Sequence, residues 1–318
     1  MIRRWISCVI LVLLAAMIGG CVLPQVPAAA PATAPGERVP LVVFAAGSLI
    51  VPFAELEKAF EAKNPDIDVM AEYHGSIQVI RHVTELHMPI DVVATADATL
   101  LPMLMYSSQD PDTGRPYADW SIRFASNRLA LAYTPNSRYA SEITADNWPT
   151  VLALPDVRVG IADPRFDAAG YRALMAFALM QNRDGRYDYF RKMFDGQFTT
   201  PISLFLDDDM ATITVPEVLE TVSGAHVVLR GASIQLVALM ETGDLDYAFE
   251  YESVVRQHGL KLLSLPDEVN LGSTEMEATY DKVQVDLDFS ALHHRQAAVS
   301  GGADWLRDHG PHQRTPCG

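Results

Sequence analysis

The sequence has few cysteines and few basic residues, and each shortage excludes a class of protein. Its 318 residues include only Cys8, Cys21 and Cys317, which cannot form a disulfide framework and lack the spacing of a zinc site. Lysine and arginine together number 24 against 40 acidic residues, so the formal net charge is −16. Such an acidic chain is not expected to bind nucleic acid. An anionic ligand would have to be held by neutral donors.

The first residues have the pattern of a secretory signal. Arg3 and Arg4 form a basic start, an apolar run at 9–18 follows, and small residues precede Cys21. The run is too short to span a bilayer comfortably. The tetrapeptide Ile-Gly-Gly-Cys resembles the lipobox of bacterial lipoproteins, in which the cysteine is lipidated. We therefore predict a signal peptide over 1–21 with Cys21 as lipid anchor. The alternative is an ordinary signal peptide with a chance cysteine.

Residues 22–38 are predicted to form a tether. The segment is rich in proline and alanine, and its first fifteen residues carry no charge, so it cannot bury a core and should behave as an extended linker. The folded part is then expected to start near Arg38, which leaves about 280 residues, enough for two lobes. The predicted location is outside the cytoplasm, at the membrane to which the lipid holds the chain.

Hydrophobic periodicity over the folded part alternates between strands and helices. An apolar run at 41–46, an alternating pattern at 67–73 and a run at 90–95 predict three strands, with helical patterns between them. This order is typical of a doubly wound, parallel α/β sheet. A second α/β unit begins at 157–161 and is predicted to continue to residue 263.

Two stretches lack clear periodicity. Residues 198–220 are predicted to form a surface excursion, and three aspartates at 207–209 a solvated acidic turn, with calcium binding as the lesser alternative. Residues 289–318 contain few apolar residues, and we interpret this tail as out of frame or otherwise altered. The first lobe would then lack part of its covering. The chain is expected to cross between lobes near 124–133 and 265–269.

Two glycine-serine pairs, Gly47-Ser48 and Gly75-Ser76, each join a predicted strand to a predicted helix. Helix N-termini present free backbone N–H groups and a partial positive charge, and neighbouring parallel strands end at one edge of their sheet. The pairs therefore predict an oxyanion cradle made of neutral donors, in which each hydrogen bond contributes roughly 1.5–3 kcal/mol. The alternative is that each serine caps its own helix. The pairs alone do not identify the anion.

Several short motifs follow one another between about Leu41 and Asp286. They are Ala45-Ala46-Gly47-Ser48-Leu49, Pro52-Phe53, Gly75-Ser76, Asp91-Val92-Val93-Ala94-Thr95-Ala96-Asp97, Asn147-Trp148, Asp163-Pro164, Asp167-Ala168-Ala169-Gly170-Tyr171-Arg172, Asp246-Tyr247-Ala248-Phe249-Glu250-Tyr251 and Gln257-His258. In this order they resemble the archaeal-type tungstate/molybdate-binding proteins of ABC transporters. The resemblance implies a type II periplasmic-binding-protein-like fold, with two doubly wound α/β lobes joined by a two-strand hinge. Residues 39–125 with 268–318 would form the first lobe, and 126–267 the second.

The resemblance also implies a ligand site between the lobes. Ser48 and Ser76, with backbone amides, would hold the tungstate or molybdate oxyanion. Asp167 and Glu250 would add oxygen ligands to its metal. This chain has Ala168-Ala169 where the family usually has proline and cysteine, which alters the loop after the aspartate. The ligand would pass to ABC permease subunits in the membrane, with no cofactor and no catalysis, and the protein is expected to be a monomer.

Two carboxylates beside a dianion would repel it strongly in a dry cleft. They can favour binding only by bonding to a central atom that expands its coordination, as molybdenum(VI) and tungsten(VI) do and the sulfur of sulfate does not. They would then select against sulfate. Three alternatives remain open: Asp167 caps the next helix, Glu250 is a plain exposed glutamate, or Glu252 is the ligand in its place.

Other polar residues have simpler interpretations. Asp97 is expected to cap a helix rather than to bind ligand. Arg172 either faces the cleft or pairs with a surface acid, and Tyr171 and Tyr251 are expected to pack near the hinge. Adjacent histidines at 293–294 rarely share one metal ion.

Three rival functions remain. One is binding of another oxyanion, such as sulfate or phosphate. Another is a surface interaction lipoprotein that keeps the fold and has lost the ligand. A hydrolase using Ser48 or Ser76 is disfavoured, because neither serine lies in a Gly-x-Ser-x-Gly motif.

Overall fold

The computed structural model describes residues 38–186, 188–207 and 210–287, and the backbone of 297–300. The predicted signal peptide with Cys21, the tether up to residue 37, two of the three consecutive aspartates, the adjacent histidines and most of the tail after residue 288 lie outside the described residues. Within the described part, no helix combines the length and the apolar composition needed to cross a bilayer.

Strands and helices alternate along most of the described chain. The strands are β1 Val39–Ala46, β2 Ile67–His74, β3 Val92–Ala94, β4 Leu129–Tyr133, β5 Val159–Ala162, β6 Ser203–Asp207, β7 Met210–Val215, β8 Val227–Arg230, β9 Tyr247–Tyr251, β10 Lys261–Ser264, β11 Val283–Leu287 and β12 Ala297–Ser300. The α-helices are α1 Ile50–Lys63, α2 Ser76–Thr84, α3 Trp148–Leu152, α4 Ala168–Asp184, α5 Tyr189–Phe194, α6 Ile234–Glu241, α7 Glu252–Gln257 and α8 Glu277–Tyr280. Short 3-10 turns at Gly47–Leu49 and Thr274–Met276 and a π-helical turn at Pro102–Tyr106 complete the described elements.

The first sheet has three parallel strands in the order β2-β1-β3. Its strand-helix-strand-helix-strand sequence confirms the predicted parallel α/β unit. The last four residues of β1 are buried, as the continuous apolar run predicts for a central parallel strand. None of the fourteen residues of α1 is buried, and Leu56 and Phe60 on this helix are exposed.

The second sheet has five strands in the order β10-β4-β9-β5-β8. β5 runs parallel to β8 and β9, whereas β4 is antiparallel to β9 and β10. Thirteen of the seventeen residues of α4 are buried, because this helix packs against β9 on one side and β11 on another. The predicted α/β class is therefore confirmed for both units. Leu129, in the first predicted crossing segment, donates its N–H to the carbonyl oxygen of Asn270, the residue after the second segment, at 2.8 Å.

A third sheet, in the order β12-β11-β7-β6, corrects the prediction for residues 198–220. That stretch is not a surface excursion, because it forms the antiparallel pair β6–β7. Ala211, Ile213 and Val215 alternate with polar residues and are all buried, so β7 has the period of two of a half-buried strand. The pattern is short, and the strand that covers it is distant in sequence, so periodicity alone did not reveal it.

β11 is the parallel partner of β7, with Val283 opposite Ala211 and Leu287 opposite Val215. The sequence placed residues 268–318 in the first lobe. The structure pairs residues 283–287 with β7, a strand that the sequence placed in the second lobe. The inward residues of both strands are apolar and buried, so the pairing joins them in one apolar layer. The division of the remaining chain into lobes stays a prediction.

Truncation of Ile213 tests the third sheet. The Ile213→Ala variant should lower the free energy of unfolding by about 2–5 kcal/mol, since it removes a fully buried side chain and leaves a cavity. Urea unfolding measures the change. Phe205→Ala on the neighbouring strand is the matched control, because Phe205 is 66% exposed and its loss should change stability by about 0.5 kcal/mol or less. Equal effects of the two substitutions would contradict the observed burial of β7.

Candidate functional site

The four predicted ligand residues lie at or beyond the carboxyl ends of strands in the first two sheets. Ser48 follows β1 and Ser76 follows β2, while Asp167 comes after β5 and Glu250 is the penultimate residue of β9. Their exposed fractions are 8%, 1%, 5% and 1%, respectively. Burial of four polar residues in one region favours a site over scattered structural roles, because buried polar groups require partners.

The glycine of each glycine-serine pair admits a neighbouring part of the chain rather than a ligand. A Cβ atom on Gly75 would lie 2.3 Å from the carbonyl oxygen of Phe166, and one on Gly47 would lie 2.8 Å from Cγ2 of Ile234. Both contacts join a loop of the first sheet to an element of the second. Only glycine permits such an approach. The two glycines therefore permit close packing between elements of the two sheets.

The close approach of Phe166 also provides a hydrogen-bond acceptor for backbone N–H groups at the N-terminus of α2. The backbone N–H groups of Ile77 and Gln78 donate to Phe166 O at 3.0 and 3.2 Å. These are donors of the kind predicted to form the oxyanion cradle, because a helix N-terminus leaves such groups without intrahelical partners. In this structure they bind a peptide carbonyl from the loop before α4.

Neither serine caps its helix, so that alternative is wrong. Gly75 occupies the N-cap position of α2, Ser76 is the first helical residue, and no side-chain capping bond is formed at either serine. Instead Ser76 Oγ accepts a hydrogen bond from Ala96 N at 3.0 Å. The bond leaves the hydroxyl proton of Ser76 available to a further acceptor.

Asp167 is the N-cap of α4, as the structural alternative predicted. Its Oδ1 accepts from Ala169 N at 2.8 Å, and its Oδ2 accepts from Ser233 N at 3.1 Å. The carboxylate thus links the start of α4 to the residue before α6. Burial raises the pKa of Asp167 to about 6, although these two hydrogen bonds and the charge of Arg172 oppose the shift.

Glu250 is fully buried, so its interpretation as an exposed glutamate is wrong. Oε1 accepts from the backbone N of Tyr251 at 2.8 Å, while the buried Oε2 has no hydrogen-bond partner among the described residues. Burial raises the pKa of Glu250 to about 8, and the negative charge of Asp167 adds to the shift, while the hydrogen bond from Tyr251 N and the nearby Ser233 side chain oppose it. Glu252 instead pairs with Arg256 at 2.6 Å, and the Arg256 side chain is largely exposed.

Arg172 pairs with a buried acid rather than with a surface one. Its Nη2 lies 3.0 Å from Oδ2 of Asp97, and the hydroxyl of Tyr171 donates to the same oxygen at 2.7 Å. Asp97 also accepts from Thr99 N at 2.9 Å, in the turn before the short π-helix rather than at its N-cap, which is Leu101. Burial alone would raise the pKa of Asp97, but Arg172 and the hydrogen bonds from Thr99 and Tyr171 outweigh burial and lower it.

The aromatic ring of Tyr251 lies next to Arg172. The guanidinium carbon of Arg172 lies 5.9 Å from the ring centroid, within cation–π range. The Tyr251 hydroxyl is buried and has no hydrogen-bond partner among the described residues. Sequence reasoning assigned this tyrosine only a packing role. Its position directly after Glu250 in the motif was the available signal.

An open cavity of about 1520 Å³ borders the polar cluster. Ser48, Asp97, Arg172 and Tyr251 are among its lining residues, together with apolar side chains such as Trp120. Ser76, Asp167 and Glu250 do not line this cavity and are shielded from solvent. A ligand could therefore reach them only if the loops around the cluster moved apart.

Two α/β sheets whose loops meet over a buried polar cluster define the architecture of a solute-binding protein. Residues 41–289 match the family of bacterial extracellular solute-binding proteins. The chain belongs to this family. Membership places it among extracytoplasmic proteins that bind solutes.

Two sequence relatives support this membership. The molybdate/tungstate-binding protein of Thermococcus kodakarensis is 34% identical over 275 residues, covering 84% of this chain and 73% of the relative. An uncharacterized solute-binding protein of Methanococcus maripaludis is 36% identical over 245 residues, covering 77% of this chain and 71% of the relative. Among solved structures, the periplasmic molybdate-binding protein of Azotobacter vinelandii is similar at 15% identity and a TM-score of 0.46, covering 72% of this chain and 80% of that protein.

The raised pKa of Glu250 predicts a pH dependence of stability. Between pH 4.5 and about 8 the folded protein holds a proton on Glu250 that the unfolded chain releases. The folded state then binds more protons, so this residue's contribution to stability falls as pH rises through that window. A Glu250→Gln variant stays neutral, and its stability relative to wild type should increase from pH 5 to pH 8.

Urea unfolding at pH 5, 6.5 and 8 measures this difference. Glu252→Gln is the matched control, because Glu252 lies in a partly exposed ion pair and its loss should leave the pH profile close to that of wild type. Parallel profiles for wild type and Glu250→Gln would show that Glu250 keeps an ordinary pKa.

Proposed function

We propose that this protein is the solute-binding component of an ABC transporter, and that it captures tungstate or molybdate between its two α/β units for delivery to a membrane permease. The observation that carries the proposal is the buried Oε2 of Glu250, which has no partner among the described residues. The name of the Thermococcus kodakarensis relative supports the same ligand class, and the family match supports a solute-binding role.

A buried carboxylate oxygen without a partner costs free energy unless a ligand satisfies it. A hydrogen-bond donor would serve, but a tetrahedral oxyanion offers few. A metal centre that expands its coordination would accept the oxygen directly, and Glu250 could then lose its proton. Asp167, with both oxygens already hydrogen-bonded, could use a remaining lone pair in the same way.

Sulfate and phosphate fit these groups less well. Their central atoms do not take a further oxygen ligand, so an ionised Glu250 would only repel them. Ser48 and Ser76 offer neutral hydroxyl donors that would serve any oxyanion. The discrimination in this proposal therefore comes from the carboxylates, and the serines contribute general affinity.

Binding requires the units to separate and close again. The N–H groups of Ile77 and Gln78 would lose Phe166 O as their acceptor when the units open, and they would become free to guide an incoming anion. Closure would then exclude water and strengthen the contacts to the ligand. We propose that the protein does this as a monomer.

Calorimetric titration with tungstate, molybdate and sulfate tests the ligand. Wild type should bind tungstate and molybdate but not sulfate. Glu250→Gln should weaken tungstate binding by at least about tenfold, because an amide oxygen is a poorer ligand to the metal than a carboxylate. Glu252→Gln, on the partly exposed pair, should bind as wild type does.

The other outcomes of the titration are equally informative. Equal binding of sulfate would remove the argument from the carboxylates and favour a general oxyanion binder. The absence of binding for all three anions would favour a surface interaction lipoprotein.

We further propose that Cys21 carries the lipid that holds the protein at the membrane. Each buried methylene of an acyl chain contributes roughly 0.8 kcal/mol, so several chains on one cysteine suffice. In bacteria fed labelled palmitate, the wild-type chain should be labelled and sediment with membranes, whereas Cys21→Ser should be unlabelled. Cys317→Ser is the matched control and should behave as wild type. Retained labelling of Cys21→Ser would overturn the anchor.

A further inference from the structure

Two groups of contacts join the first sheet's elements to the second sheet's elements beside the polar cluster. One is the bond from the start of α2 to Phe166 O. The other consists of Asp97, which follows β3, and Tyr171 and Arg172, which are the fourth and fifth residues of α4. We call the second group the Asp97 clasp.

Each carboxylate oxygen of Asp97 has two partners in the Asp97 clasp. Oδ1 accepts from the backbone N and the hydroxyl of Thr99 at 2.9 and 2.7 Å. Oδ2 receives the Tyr171 hydroxyl at 2.7 Å and lies 3.0 Å from the Arg172 guanidinium. The Arg172 side chain is only 18% exposed. Such charge-assisted bonds in a shielded place are stronger than surface pairs.

The position of the clasp gives it a role that a surface ion pair lacks. Arg172 is five residues after Asp167 on the same helical segment, so anything that fixes Arg172 also fixes the start of α4. Asp97 fixes it against the end of β3, the strand next to β1 in the first sheet. The loop that carries Asp97 is also bonded to Ser76, through Ala96 N. The clasp therefore links Ser76 in the first unit to Asp167 in the second.

We propose that Asp97 is a positioning residue that stabilises the closed arrangement of the two units by holding Tyr171 and Arg172. It does not contact the ligand. Because ligand must be enclosed to be held tightly, the apparent affinity is the intrinsic affinity scaled by the closed fraction. Loss of the clasp should therefore weaken the binding of every ligand by the same factor and leave discrimination among oxyanions unchanged. The ligand part of this proposal rests on the proposed function.

The experiment uses Asp97→Asn, Arg172→Gln and the double variant, each in the mature chain. Small-angle X-ray scattering without ligand should give a larger radius of gyration for each single variant than for wild type. The double variant should show no greater expansion than the larger single effect, since both substitutions break one interaction. Arg256→Gln is the matched control, because it breaks an arginine–acid pair on α7, away from the clasp, and should scatter as wild type does.

Tungstate binding supplies a second readout. Asp97→Asn should weaken tungstate binding about tenfold, and sulfate should remain rejected. If Asp97→Asn fails to fold, Tyr171→Phe removes one hydroxyl of the clasp and should give a smaller shift in the same direction. Scattering curves identical to wild type for the folded clasp variants would overturn the proposal. If wild type binds no tungstate, the proposed function fails, but the scattering comparison still decides the clasp.

Discussion

The contact between Gly75 and the carbonyl oxygen of Phe166 is the constraint on which the arrangement of the site depends. No side chain fits between them, so α2 and the loop before α4 meet backbone to backbone. This contact brings Ser76 close to Asp167 and provides an acceptor for the first N–H groups of α2. A larger residue at position 75 would push the two units apart and separate the hydroxyl from the carboxylate.

The buried charged side chains of the site are mainly acidic, which is unexpected for a proposed anion binder. The nearby cation Arg172 is already neutralised by Asp97 and lies close to Asp167 without a direct bond to it. Asp167 and Glu250 therefore share a dry region, where burial favours their protonated forms. The acidic balance of the whole chain, −16, agrees with a site whose selectivity comes from carboxylates and whose donors are neutral.

Much of the fold could be predicted from the sequence, because its elements are local. The apolar run of β1 and the helical spacing of α2 are visible within single windows, and the motif around Glu250 located the end of β9. The third sheet could not be found in this way, since β7 is completed by β11 from about seventy residues later. The partner of Arg172 was also hidden, because Asp97 lies in another unit and only the folded chain brings them together.

The parallel pairing of β7 with β11 has a consequence for dividing the molecule. A fragment cut to residues 126–267 would contain β7 without its neighbour, so the buried face of Ile213 and a row of backbone N–H and C=O groups would meet solvent. Such a piece would be prone to edge-to-edge aggregation. Pairing strands so distant in sequence is also slow, since a long loop must close first. A soluble half-molecule would need to extend at least through Leu287, and the nascent chain would have to wait for that segment before this sheet could form.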